Sequence, residues 1–91
     1  MPPPEPNDPL ALALAALAAT LGDARRAQRF IDLTGIDTDA LRARAADPVL
    51  LAALIRFLEA HEPDLIAVSK ALGVSAELLV EARRKLEEGK R

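Results

Sequence analysis

The chain has 91 residues, with 12 Lys and Arg against 14 Asp and Glu, a formal charge of −2, and no cysteine, tryptophan or tyrosine. That length makes one small domain. The missing cysteine excludes disulfides, thiolate catalysis and cysteine-ligated zinc and fits a cytoplasmic protein, while the interspersed charges leave no global field for nucleic acid or anionic lipid.

Residues 1–8 (MPPPEPND) hold four prolines and two acids and are expected to form a disordered tail ahead of a helical domain spanning 9–89. Ala and Leu dominate the rest of the chain, and both favour helix over strand. Asp8 and Pro9 read as the N-cap and first position of a helix running to Leu21 and stopping at Gly22. Leu10, Leu14, Leu17 and Leu21 share one stripe, the spacing of a packed face. The opposite side carries Leu12, Ala15, Ala16 and Ala19, and no charge occurs from Pro9 to Gly22. A surface helix ordinarily shows a charged back. The apolar run is not a secretory signal, since its upstream flank holds Glu5 and Asp8 and no Lys or Arg.

Asp23 caps a second helix, Ala24–Thr34, which directs Ala27, Phe30, Ile31 and Thr34 inward. Arg25, Arg26 and Arg29 form a basic ridge on its outside. Gly35 sits where a left-handed C-terminal residue is wanted. Asp37 caps a short third helix over 38–46, with Leu41 and Ala45 inward and Arg42 and Arg44 outward, beside the ridge. Asp32, Asp37 and Asp39 stand close enough in sequence to neutralise these arginines.

Asp47 and Pro48 open the central helix, DPVLLAALIRFLEA, apolar nearly all round, with a water-facing stripe through Ala52, Arg56 and Glu59. Such a helix belongs in the middle of a packed domain. Residues 48–60 span about 20 Å, too little to cross a hydrocarbon core of about 30 Å. Glu62 and Pro63 begin a fifth helix ending at Gly73, and Ser75 caps a sixth, Ala76–Glu88, with an inner seam of Leu79, Ala82 and Leu86. Pairs Glu81–Lys85 and Arg84–Glu88 have favourable helical spacing. The expected fold is therefore all-α: one compact bundle of six short helices around residues 48–60.

From Phe30 to Leu65 the chain reads FIDLTGIDTDALRARAADPVLLAALIRFLEAHEPDL. It resembles a family of small alphaproteobacterial proteins defined by a domain of unknown function, number 3572. The shared pattern falls on Phe30, Leu33, Thr34, Gly35, Ile36, Asp37, Leu41, Arg42, Ala45, Pro48 and Glu62. GVSAELLVEARRKL resembles the closing helix, so the similarity covers roughly residues 10–88. Thr38 departs from a frequent proline. The resemblance implies a small helical protein and no established activity.

No residue pattern points to an enzyme. His61 is the one histidine, Ser69 and Ser75 are the serines, and Ser75 is accounted for as a cap. A nucleophile and its base must meet within hydrogen-bond reach, and no cofactor or metal motif is present: His61, Glu62 and Asp64 around a proline lack zinc or calcium spacing. Residues 64–86 have helix-turn-helix shape. The outward positions there are Ser75, Ala76, Glu77, Val80, Glu81 and Arg84, and two carboxylates would repel DNA phosphates. The remaining class is a non-enzymatic protein–protein interaction module, acting on an unknown partner or by self-association. Its two candidate surfaces are the small-residue strip Leu12, Ala15, Ala16 and Ala19, and the basic ridge of Arg25, Arg26, Arg29, Arg42 and Arg44. If the strip is the contact, Ala16→Glu should leave the monomer folded and abolish association.

Overall fold

Four of the helices begin with an aspartate whose side chain accepts a backbone N–H of the first turn. Asp8, Asp23, Asp37 and Asp47 do so for Ala11, Arg26, Ala40 and Val49, each in extended backbone conformation. Each cap satisfies one of the orphan donors at a helix start, worth about 1 kcal/mol. Ser75 Oγ does the same for Leu78 at 3.2 Å. Gly35 (φ 71°) and Gly73 (φ 70°) close their helices in the left-handed conformation, which a side chain disfavours.

These signals punctuate a computed structural model that describes residues 8–88. Among them lie six helices and no strand: α1 Pro9–Leu21, α2 Ala24–Thr34, α3 Thr38–Ala43, α4 Pro48–Glu59, α5 Glu62–Leu72 and α6 Ala76–Glu88. Apart from Asp8, the proline-rich stretch expected to be disordered lies outside the described residues, as does residue 89. No helix among them is long and apolar enough to cross a membrane.

α4 is the centre. Leu51, Leu54, Ile55 and Leu58 have no exposed surface, and Leu50, Ala52 and Phe57 are buried. α6, α1 and α5 pack around it, and Phe57 meets Phe30 of α2 edge-on at a centroid distance of 5.2 Å. The water-facing stripe of α4 is displaced from the expected one. Ala52 is buried, and Val49, Ala53, Arg56 and Ala60 are the exposed positions, because α6 seats Leu79, Ala82 and Leu86 in the core while its Glu87 draws Arg56 outward through paired bonds of 2.7 and 3.0 Å. The radius of gyration, 11.9 Å, is close to the about 12 Å expected of a packed chain this long.

The orientation of α1 is the main departure from expectation. Leu12, Ala13 and Ala16 have no exposed surface and Leu17 has 5%, while Leu10 and Leu21 are 38% and 39% exposed. The side of Ala13 and Ala16 faces inward because small residues let helix axes approach closely, and α1 packs against α6, α4, α5 and α2 at once. Thr20 joins this face fully buried. It can do so because its hydroxyl donates to the Ala16 carbonyl at 2.8 Å, leaving no unpaired polar group in the core.

Candidate functional site

The outward side of α1 carries Leu10, Ala18 and Leu21 exposed, with Ala11 and Leu14 half-buried between them. Positions 10, 14, 18 and 21 follow the spacing of one helical face. This strip is therefore an uncharged surface thirteen residues long on the outside of the protein. Its C-terminal end opens into a hollow of about 360 Å³ between α1, α2 and α3. Leu17 and Leu21 form one wall, Ala27 and Ile31 of α2 another, and Leu41 and Ala45 the third, with Thr38 and Arg42 at the polar part of the lining. The hollow exists because Ala27, Thr38 and Ala45 are too small to fill the space left beside a six-residue α3, whose one buried side chain is Leu41. Its volume lies at the lower end of ligand-sized pockets, enough for an apolar side chain and its neighbours.

Arg42 is the chemically distinctive member. Six arginines (Arg26, Arg29, Arg44, Arg56, Arg83 and Arg84) each have a carboxylate oxygen within 4.0 Å. Among the described residues, Arg42 and Arg25 have none. Arg42 thus sets an unmatched positive charge against an apolar concavity.

A family model, that of a protein of unknown function (DUF3572), matches residues 6–89. The chain belongs to the DUF3572 family. No curated protein and no solved structure matches it. The family carries no assigned activity, so the function of this DUF3572 protein must be sought in its own surfaces.

The two surfaces singled out in the sequence do not survive as drawn. Of the strip Leu12, Ala15, Ala16 and Ala19, the first and third are fully buried, and Ala15 and Ala19 are half-covered, Ala19 packing against the core. The contactable face lies on the other side of α1. The ridge Arg25, Arg26, Arg29, Arg42 and Arg44 is dispersed in the same way. Arg26 Nε donates to Asp64 Oδ1 at 2.9 Å and Arg29 Nη1 donates to Asp64 Oδ2. Arg44 pairs with Asp47, Arg25 stays exposed, and Arg42 turns to the hollow. The local aspartates are not the neutralising groups: Asp32 accepts from Gln28 and Asp37 caps α3. The acid that matters comes from α5, 35 and 38 residues away, a distance over which no local pattern carries information.

Asp64 is the most perturbed acid of the protein. Burial alone would raise its pKa, but hydrogen bonds from Arg26, Arg29 and His61 and the charge of Arg29 outweigh it, lowering the value to about 2. His61 Nδ1 lies 2.9 Å from Asp64 Oδ2, so its proton points at the carboxylate. Arg29 also stacks over the Phe57 ring at 5.3 Å, a cation–π contact. The cluster clamps α2 onto α5 and α4. A second network joins α4 to α6, where Arg83 donates to Glu59 and to Glu87. The hydrogen bond to Glu59 holds the Arg83 proton more firmly than an ordinary arginine's.

The helix-turn-helix surface has a shallow depression lined by Ala76, Val80 and Arg84 with Glu62, Glu77 and Glu81. Glu62 adds a third carboxylate to the two read from the sequence. Among the described residues, no group of three or more His, Cys, Asp or Glu side chains could hold a metal ion.

Proposed function

We propose that this DUF3572 protein is a non-enzymatic protein-interaction module, and that its contact surface is the uncharged outer face of α1 together with the hollow at that face's end. One observation carries this: an exposed apolar strip runs into an apolar concavity whose one charged lining residue, Arg42, has no carboxylate partner among the described residues. Contiguous exposed apolar surface with a polar rim marks interaction sites, and concave apolar pockets take anchoring side chains. The groups able to serve catalysis have structural roles. His61 bonds Asp64, Ser69 donates to the Ile66 carbonyl, and Ser75 caps α6. Nucleic-acid binding through residues 64–86 is the alternative. The three carboxylates gathered at that surface oppose phosphate contact, so low-salt gel shifts with mixed duplex DNA should show no retardation.

A photo-crosslinking amino acid placed at Ala18, or at the exposed Ala71 of α5 as control, tests the surface. Position 18 should yield a discrete polypeptide adduct in cells and position 71 none. Equal adducts from both, or none from either, would contradict the assignment.

A further inference from the structure

We propose that the occupant of this face is a second copy of the chain, packed antiparallel through α1 about a two-fold axis; this rests on the interaction surface assigned above and names its partner. The face is self-complementary end to end. At its N-terminal end stand an exposed Leu10 and the exposed carboxylate of Asp8, which uses Oδ1 to cap α1 by accepting from Ala11 at 3.1 Å. At its C-terminal end lie the hollow and the unmatched Arg42. Leu10 and Leu21 are eleven residues apart, about 16 Å along the helix axis. Turning one helix end over end against the other therefore puts Leu10 of each copy at the mouth of the other's hollow. The same register sets Leu14 beside Ala18 across the axis and brings Asp8 toward Arg42.

Each feature is explained by its counterpart. The hollow receives an apolar side chain, Arg42 gains its carboxylate, and the lack of charge from Pro9 to Gly22 removes any repulsion between like ends. Ala11 and Ala18 allow the two helix axes to approach closely. The contact is isologous, so it closes at two copies and does not propagate. One helix pair buries little area, which places the dimer among weak, concentration-dependent associations.

Sedimentation equilibrium tests the proposal, read by interference because the chain has no tryptophan or tyrosine. Concentrations from about 5 µM to about 500 µM bracket a dissociation constant on the order of 10–100 µM. Wild type should pass from monomer to dimer, and Ala18→Glu should remain monomeric with its helical circular dichroism intact. Asp8→Asn, which keeps an N-cap residue, and Arg42→Gln should each weaken association about threefold. The double variant should be no weaker than either alone, as a direct pair requires. A wild type monomeric throughout, a dimer indifferent to Ala18→Glu, or additive effects of the two charge variants would overturn the proposal. If wild type is monomeric while position 18 crosslinks to a different polypeptide, the second copy is the wrong occupant and the interaction surface stands. If it is monomeric and nothing is captured, both fall.

Discussion

Asp64 shows how one residue can hold three elements. It sits in the first turn of α5, where a negative charge is favoured by the helix dipole, and receives Arg26 and Arg29 from α2 and the His61 imidazole. Its folded-state pKa, about 2, lies below the ordinary 3.8. The ionised form is thus the one the fold prefers. The resulting stabilisation is fully present above about pH 4 and is lost as pH falls through about 2, and the 3.8-to-2 shift corresponds to about 2 kcal/mol. Urea unfolding midpoints should fall over that interval in wild type and fall less in Asp64→Asn, which should also be about 2 kcal/mol less stable at neutral pH because the half-buried Arg26 loses its counter-charge. Equal acid sensitivity of the two proteins would show that Asp64 is not the responsible group. In the sequence Asp64 looked like a favourably placed first-turn acid. Its partners were visible as arginines but not as its partners, since ion pairs across three dozen residues leave no periodic trace.

Elements were far more legible than contacts between them. The starts and stops of α1, α2 and α6 stand where Asp8, Gly22, Asp23, Gly35 and Ser75 place them, because capping and left-handed glycine are local physics. α3 stops at Ala43, short of the expected 46, and the helical pairs on α6 are Arg83–Glu87 and Arg84–Glu81 in place of the expected Glu81–Lys85 and Arg84–Glu88. Glu87 is already drawn over to Arg56 of α4, a tertiary demand that spacing along one helix cannot express. α1 failed for a different reason. A helix of Leu and Ala on every side has no polar face to give its orientation, and the larger stripe was taken as the buried one. Backbone conformation, by contrast, can be tested at one position. Gly35→Ala should cost about 1 kcal/mol in thermal or urea unfolding, since its φ of 71° disfavours a Cβ while no atom lies within 4 Å to clash with one. A neutral outcome would mean the α2–α3 turn relaxes to another conformation.

At the scale of the whole molecule, the six-helix bundle and its buried centre at α4 followed from composition and punctuation, and the family membership over residues 6–89 agrees with the motif around Gly35. What the surface offers did not follow, because a hollow is made by the side chains that three separate elements fail to supply. Function turns on that distinction within a single helix. α1 is at once a wall of the core, through Leu12, Ala13, Ala16 and Thr20, and an uncharged outer face, through Leu10, Ala18 and Leu21. Two substitutions two residues apart separate the roles most directly, by thermal unfolding followed with circular dichroism. Ala16→Glu buries a carboxylate at a position with no exposed surface and should lose about 3 kcal/mol or more, enough to remove the cooperative transition of a small domain. Ala18→Glu should melt within about 0.5 kcal/mol of wild type. A cooperative, wild-type-like melt for Ala16→Glu, or an equal collapse for Ala18→Glu, would show that α1 is not oriented in this way and would remove the proposed contact face with it.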